Sequence, residues 1–319
     1  MLPKRSILAA PFLGLLATAY LLDGATDELK KIAEGVWFLE GDLKNYGHCN
    51  NTIIEMSDYL IVIDANFPSG AELVLAQVKK ISKKPIKYVF DTHHHGDHAY
   101  ANALWTKLGA TTIGHIEVVN EMKAREPERW LSTAKQRKDV AALNLPTAEP
   151  PKLTFDKSPH VITDGKRKLE LHHFGWAHTK GDGFAWLPKE KILCTGDAAV
   201  NGAFNYTADA NISNWPKVME GALKLKPLHV LPGHGPAGGP EILNGQRAYM
   251  LELGKAVASA VKSGKKLEDI VTLKDGKAMD TTIKLPEAVR NWVGSGLAGQ
   301  VQDAFEEQTQ RKPRGDLKL

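Results

Sequence analysis

The sequence predicts a layered α/β fold, and three observations support this class. Short apolar runs with strand character recur along the chain, and several of them lead to a polar residue beside a glycine-containing loop. The stretch from Val118 to Leu145 is instead charged and helix-like. With 319 residues, of which 43% are hydrophobic, the chain is long enough for one large domain with a sizeable core.

The N-terminal segment has the pattern of an export signal. Two basic residues precede an apolar stretch from Ile7 to Leu22, and small residues offer cleavage sites around Ala19 and Ala25. Because this stretch has only 16 residues and contains a proline and a glycine, it is short for a membrane-spanning helix. We therefore expect a periplasmic or secreted protein with no stable membrane insertion after cleavage; a retained anchor is the alternative.

The most informative segment is residues 93–98, which read His-His-His-Gly-Asp-His after a strand-like run. Alternate residues at the end of an extended strand share a face, so His93 and His95 can point at one metal ion while His94 points away. The aspartate and the last histidine, beyond the glycine bend, would then face a second metal ion. Imidazole and carboxylate ligands suit zinc, and also iron or manganese. For this segment alone, a histidine-rich polar surface turn is the alternative.

Three more segments with strand character lead to a histidine or an aspartate near glycine. They are Lys168–Gly175, which precedes His178; Lys191–Asp197, which ends in the carboxylate; and Leu228–Pro236, which contains His234 between two glycines. Loops at strand ends commonly carry the binding residues of layered α/β folds, because a rigid scaffold positions them. The pattern predicts that all of these polar residues meet at one site.

The order of these motifs resembles the metallo-β-lactamase superfamily of metallohydrolases, whose members fold as a four-layer αββα sandwich. The resemblance runs from about Ile32 to Arg247 and includes all the metal-ligand motifs in order. Strand-like residues 51–55 and 59–64 are also similar to the opening hairpin of the superfamily. The domain organisation predicted from the resemblance and the export signal is a signal peptide at 1–25, the metallo-β-lactamase domain at 26–248, and a helical C-terminal extension at 249–319 packed on the same domain.

The resemblance also implies a dinuclear centre with two Zn²⁺ ions, for which iron or manganese could substitute. The ligands it assigns are His93, His95 and His178 for the first metal, Asp97, His98 and His234 for the second, and Asp197 as a bridge between both. Two such metals share a hydroxide that attacks the substrate. Asp97 would orient this hydroxide and accept its proton. Tyr206, which follows the bridging residue, could donate a hydrogen bond to an oxyanion or simply pack as a loop aromatic.

Other polar residues near the motifs are expected to support the centre instead of binding metal. Asp64 and Asp182 are candidates for orienting a ligating histidine, with loop capping as the alternative. His94 is expected to pack or to support the site from outside the ligand set. His115 could lie near the mouth of the site.

The bridging position narrows the expected function. Classical β-lactamases of the superfamily carry Cys or Ser where this chain has Asp197, whereas a bridging aspartate is typical of its thioesterases, lactonases and phosphodiesterases. We expect hydrolysis of an ester, lactone, thioester or amide in a small-molecule substrate. Hydrolysis of β-lactams is one alternative, and an iron-dependent oxidoreductase on the same fold is another.

Nucleic acid is not an expected partner. The formal net charge is only +4, which indicates no broad electrostatic attraction to a polyanion. The 36 residues between Asp197 and His234 are too few for the inserted domain of the RNA-cleaving members of the superfamily. The sequence leaves the oligomeric state open.

Overall fold

Seven strands form the first sheet of the computed structural model, which describes residues 28–317. The predicted signal peptide, residues 1–25, lies outside this range. Strands β1 to β4 pair antiparallel and strands β4 to β7 pair parallel, in the order of the sequence. The strands are β1 (Lys30–Ala33), β2 (Val36–Leu39), β3 (Asn51–Glu55), β4 (Leu60–Ile63), β5 (Ile86–Asp91), β6 (Thr111–His115) and β7 (Leu153–Phe155).

Five strands form the second sheet, in the order β12-β11-β10-β9-β8. Only β11 and β12 pair parallel; the other neighbours are antiparallel. The strands are β8 (His160–Thr163), β9 (Lys168–His172), β10 (Phe184–Leu187), β11 (Ile192–Gly196) and β12 (His229–Pro232). Strands β10 and β11 are buried along their whole length, as expected for strands covered on both faces.

Helices cover the outer face of each sheet. Those of the first half are α1 (Leu43–Tyr46), α2 (Pro68–Ile81), α3 (Gly96–Ala99), α4 (Asn102–Lys107), α5 (Ile116–Gln136) and α6 (Lys138–Ala141). Those of the second half are α7 (Trp215–Leu223), α8 (Glu241–Lys262) and α9 (Leu297–Gln310). Apolar residues of α2 and α4 pack on the first sheet, and those of α7 and α8 pack on the second.

The inner faces of the two sheets bury a shared apolar layer. Phe38 and Ile54 of the first sheet and Leu171 and Cys194 of the second belong to this cluster, and all four are buried. With helices outside both sheets, the architecture is the four-layer αββα sandwich that the sequence predicts. Within residues 28–317, no helix is long and apolar enough to cross a membrane.

The C-terminal extension is helical but also contains a third, two-stranded sheet. Strands β13 (Val271–Lys274) and β14 (Lys277–Thr281) form this hairpin, which packs against α9. The hairpin is largely exposed, so it lacks the apolar alternation by which a strand is detected in sequence. Past α9, Arg314 is almost fully buried and donates to Asp303, which ties this segment to α9.

We expect Leu171→Ala to lower the free energy of unfolding by about 2–5 kcal/mol, because the side chain is fully buried between the sheets and its removal leaves a cavity. Leu131→Ala is the matched control, since this leucine is 56% exposed and its removal should change stability by less than about 0.5 kcal/mol. Denaturant unfolding followed by circular dichroism measures both. Equal destabilisation of the two variants would contradict the two-sheet core.

Candidate metal centre

Residues at the carboxyl ends of strands from both sheets converge on one site. Residues 93–98 follow β5, Asp197 follows β11, and His234 follows β12. The strand ends approach closely at two glycines. A Cβ atom at Gly196 would collide with the side chain of Thr92, and one at Gly233 would collide with Asp197 Oδ1. Glycine at 196 therefore lets the end of β11 lie against the first sheet, and glycine at 233 lets the end of β12 lie against Asp197 within the second sheet.

The first cluster consists of His93, His95 and His178. One ring nitrogen from each lies within 4.8 Å of the others, and Nδ1 of His95 is 2.9 Å from Nε2 of His178. All three rings are buried or nearly so. Three imidazole nitrogens converging in this way match the neutral donor set that a transition metal prefers.

The second cluster consists of Asp97, His98 and His234, whose ligand atoms also lie within 4.8 Å of one another. Nε2 of His234 is 3.1 Å from Oδ2 of Asp97, and Nε2 of His98 is 3.4 Å from the same oxygen. The carboxylate gives this cluster a negative charge that the first cluster lacks.

Asp197 lies between the two clusters. Its Oδ2 is 3.7 Å from Nε2 of His178 in the first cluster and 3.5 Å from Nε2 of His234 in the second. Its Oδ1 is 3.4 Å from Nε2 of His98. The structure therefore brings together all seven residues that the sequence predicts as ligands, with Asp197 in contact with both groups.

Unpartnered polar atoms indicate that these residues fit bound metal. Within the described residues, Nε2 of His93, Nε2 of His98 and Oδ1 of Asp197 are buried without a hydrogen-bond partner. Leaving such atoms unsatisfied is costly, and all three point into the space shared by the clusters. Bound metal ions would satisfy them.

Each histidine of the first cluster uses one ring nitrogen to bond a protein acceptor, which leaves the other free for metal. Nδ1 of His93 lies 3.1 Å from the hydroxyl of Thr92, and Nδ1 of His178 donates to the backbone carbonyl of Tyr206. His95 is held from the opposite side, because its Nε2 donates to Asp209 at 2.9 Å. Such bonds fix the ring orientation and the tautomer.

In the second cluster, Asp64 orients His98 as the sequence suggests. Nδ1 of His98 donates to Asp64 Oδ2 at 2.9 Å, and the other oxygen of Asp64 accepts from the backbone and hydroxyl of Thr92. Asp64 has a positive φ of 66°, an uncommon conformation for a residue with a side chain. This backbone shape, set directly after β4, aims the carboxylate at the histidine.

Asp209 is the supporting residue that sequence reasoning missed. It is fully buried, bonds His95, and receives a bidentate pair of hydrogen bonds from Arg129 at 2.7 and 2.8 Å. Arg125 donates to it as well, at 3.1 Å. Asp209 lies in a loop that no strand pattern precedes, so nothing in its local sequence distinguishes it from a surface aspartate.

Burial and neighbouring charges shift the histidine pKa values in opposite directions: those of His93 and His95 in the first cluster fall, and that of His98 in the second rises. Burial holds the pKa of His93 well below its usual range and lowers that of His95 to about 3, so both rings are neutral at pH 7. Burial also disfavours charge on His98, but the surrounding carboxylates outweigh it and raise the pKa of His98 well above 6.5. The same attraction lowers the pKa of Asp97 and Asp197 despite their burial.

His95, Asp97, Asp197 and His234 line an open cleft of about 420 Å³. Apolar walls come from Leu43, Phe67, Phe204 and Tyr206, and α5 supplies a polar wall that includes Arg129. The stretch that the sequence predicts as a charged helix thus forms one side of the site. A cleft of this size and composition can accept a small organic molecule.

Tyr206 lies on the cleft, where its ring is half exposed and its centroid is 5.5 Å from that of His95. Burial of part of the side chain raises the pKa of its hydroxyl, so this group is a protonated donor at neutral pH. The position is compatible with the predicted contact to substrate, which stays a prediction.

The remaining predicted residues have other contacts. His94 is buried beside Asp209 and Arg129, outside both clusters. His115 caps the start of α5 and stacks on His173 with ring centroids 4.0 Å apart, and it does not line the cleft. Asp182 accepts from the backbone N–H groups of residues 177–179, so it shapes the loop of His178 and not its ring.

Residues 45–238 match the family model described as the Metallo-beta-lactamase superfamily. The chain belongs to the metallo-β-lactamase superfamily. Membership supports a metal-dependent hydrolase, in agreement with the clustered histidines and aspartates. A metallo-beta-lactamase type 2 of Bacteroides fragilis is 31% identical over 98 residues. That match spans 29% of this chain and 39% of the relative, so it covers well under half of either protein.

Solved metallo-β-lactamase structures share the fold. The enzyme from Pontibacter korlensis aligns with a TM-score of 0.57 at 21% identity, over 70% of this chain and 98% of its own. The enzyme from Hirschia baltica aligns with a TM-score of 0.55 at 22% identity, over 70% of this chain and 96% of its own. DIM-1 metallo-beta-lactamase aligns with a TM-score of 0.56 at 20% identity, over 70% of this chain and 96% of its own. At these identities the likeness establishes the fold alone.

We expect Asp209→Asn to weaken metal binding by about 10–100-fold, because the neutral amide no longer anchors His95 as a carboxylate does. Competition with a chromophoric chelator measures the affinity. Asp280→Asn, at an exposed aspartate, is the control and should bind metal like the unmodified protein. Unchanged affinity in Asp209→Asn would show that His95 needs no such support.

Metal binding should release protons at pH 7, and the release should accompany filling of the second cluster. The pKa values of His98 and His234 are both raised, so these rings hold protons below those pKa values that a metal must displace, whereas His93 and His95 are already neutral. Calorimetric titrations of metal-free protein in buffers of different ionisation enthalpy count the protons. The release should disappear as the pH rises past both of these raised pKa values; a pH-independent release would contradict the assignment.

Proposed function

We propose that the protein is a dinuclear zinc hydrolase that cleaves an ester, lactone, thioester or amide bond in a small molecule. The observation that carries this proposal is the pair of three-residue clusters that share one carboxylate, Asp197. The imidazole and carboxylate ligands of both clusters are of intermediate softness, which suits Zn²⁺. Bound there, two zinc ions would polarise the scissile carbonyl and make a hydroxide nucleophile available at neutral pH.

The residues of the chain supply the rest of the chemistry. Asp97 is held in its ionised form by His98 and His234, and it lines the cleft, so its carboxylate can orient the attacking group and accept a proton. Tyr206 keeps its hydroxyl proton and can donate it in a hydrogen bond to an oxyanion. The aromatic walls exclude water from the acyl group of the substrate.

β-Lactam hydrolysis is a second candidate, favoured by the relatives, which are named as metallo-β-lactamases. The residue that argues against it as the main activity is Asp197, because it places a carboxylate where the classical enzymes have Cys or Ser. We therefore propose β-lactam cleavage only as a side activity of the same centre. The N-terminal export pattern leads us to propose a periplasmic or secreted location.

We expect His95→Ala and Asp97→Ala to fold normally and to lose nearly all hydrolysis, because each removes one proposed ligand from a different cluster. A panel of chromogenic esters, lactones, thioesters and cephalosporins measures activity, with metal content determined on the same samples. His229→Ala is the control, since this histidine is exposed at the start of β12, and it should keep full activity.

Two results would overturn the proposal. Full activity of either ligand variant at full metal content would reject the assigned centre. Protein purified without added metal that contains iron and consumes oxygen with a substrate would instead favour an oxidoreductase on this fold.

A further inference from the structure

Arg129 presents an unused pair of hydrogen-bond donors beside the metal centre. Its guanidinium binds Asp209 end-on, with Nη1 and Nη2 each donating to one carboxylate oxygen at 2.7 and 2.8 Å. Within residues 28–317, Nε and the second proton of Nη2 have no acceptor on the protein. These two donors form the side-on edge of the guanidinium, whose geometry matches the two oxygens of a carboxylate.

The Arg129 side chain is accessible from the cleft that residues of both clusters line. The Arg129 side chain is 33% exposed although its partner Asp209 is fully buried. Arg129 lines the same cleft as Asp97 and Asp197. Ser132 and Thr133, which follow at the helical spacing that shares one face, line it too and add hydroxyl groups near the guanidinium.

The charges around Arg129 leave it able to attract an anion. Asp209 does not neutralise Arg129 alone, because it also receives hydrogen bonds from Arg125 and His95. Glu126 is the nearest other carboxyl group, 3.5 Å away, but it lies on the Nη1 side and not on the free edge. Burial also raises the pKa of Glu126, which weakens its negative charge.

Arg129 is also rigid. A bidentate ion pair with a buried carboxylate holds the guanidinium in one orientation, so little side-chain entropy is lost when a ligand binds its free edge. Asp209 bonds Arg129 and His95 at the same oxygen, Oδ2. The guanidinium of Arg129 therefore has a fixed position relative to the first cluster.

We propose that Arg129 binds a carboxylate of the substrate, so that the preferred substrates are acyl compounds that carry a free carboxylate some distance from the scissile bond. The inference rests on the proposed hydrolase function and names the substrate class of the same cleft. The apolar wall of Phe67 and Phe204 then receives the hydrocarbon part of the substrate, and Arg129 sets the end at which the anion lies.

The test compares mono-4-nitrophenyl adipate with its methyl ester, in which the carboxylate is capped; the adipate chain disfavours attack of the free carboxylate on its own ester, and spontaneous hydrolysis is subtracted from each rate. For the unmodified metal-loaded protein, kcat/KM should be at least about tenfold higher for the free acid, the size expected for a charge-assisted hydrogen bond. In Arg129→Met this ratio should fall to about one, and most of the change should be in KM. Arg129→Lys keeps the positive charge but lacks the paired guanidinium donors, so it should retain only part of the preference for the free acid.

Arg247→Met is the matched control. Arg247 is 37% exposed and is paired with a carboxylate, Glu220, as Arg129 is with Asp209, but it does not line the cleft. Its variant should keep the full preference. Using a ratio of two substrates cancels any general loss of turnover that follows from disturbing Asp209. A ratio near one in the unmodified protein, or a ratio that survives in Arg129→Met, overturns the proposal.

Calorimetric binding of pentanoate and pentanamide separates this inference from the proposed function. Pentanoate should bind the unmodified protein at least about tenfold more tightly than it binds Arg129→Met, while pentanamide should bind both alike. If neither ester is hydrolysed, the pentanoate affinity still decides the role of Arg129, while the wider substrate panel decides the hydrolase proposal. Equal binding of pentanoate to both proteins would mean that the carboxylate is held elsewhere, by the metals for example, and would reject the proposal.

Discussion

The close approach of the two sheets at their carboxyl edge is the constraint on which the site depends. Neither sheet carries a complete set of ligands: His93 to His98 belong to the first, and His178, Asp197 and His234 belong to the second. They meet because glycine at 196 lets the end of β11 lie against Thr92 at the end of β5, while glycine at 233 lets the end of β12 lie against Asp197. Asn50 strengthens this junction by donating to the backbone of Pro232 and Gly235 across the sandwich.

This junction concentrates buried polar groups beside the open cleft. Buried polar atoms are costly unless they are paired, and the structure pairs most of them on the side away from the clusters. Asp64, Asp209 and the carbonyl of Tyr206 each hold one ring. Within the clusters, Nε2 of His93, Nε2 of His98 and Oδ1 of Asp197 remain unpaired, so hydrogen bonding outside the centre determines which ligand atoms are free inside it.

The sequence predicted the parts of this arrangement that are encoded locally. Polar residues that end apolar strands predicted a shared site, the resemblance of these motifs to the superfamily implied the sandwich and the seven ligands, and Asp64 could be named because it also follows a strand. Asp209 could not, because its role comes from contacts with His95, Arg125 and Arg129, which are distant in sequence. The hairpin β13–β14 was missed for a different reason, since its exposed strands lack an apolar face.

The helix α5 illustrates the same limit. Its charge pattern is typical of a solvated helix, yet Arg125 and Glu126 are buried because they face Asp209 and Tyr100. Only the three-dimensional arrangement reveals that part of this charged face is turned inward. α5 therefore serves both as a solvated surface helix and as one wall of the cleft.

Tyr206 contacts its surroundings with two chemically separate parts. The backbone carbonyl holds His178, while the side chain faces the cleft. Every amino acid provides the same carbonyl, so the support of the histidine does not depend on which side chain stands at position 206. A change of residue there can alter the shape and polarity of the binding surface while the ligand remains anchored. The side chain at position 206 can therefore change the substrate that binds in the cleft without changing the support of His178.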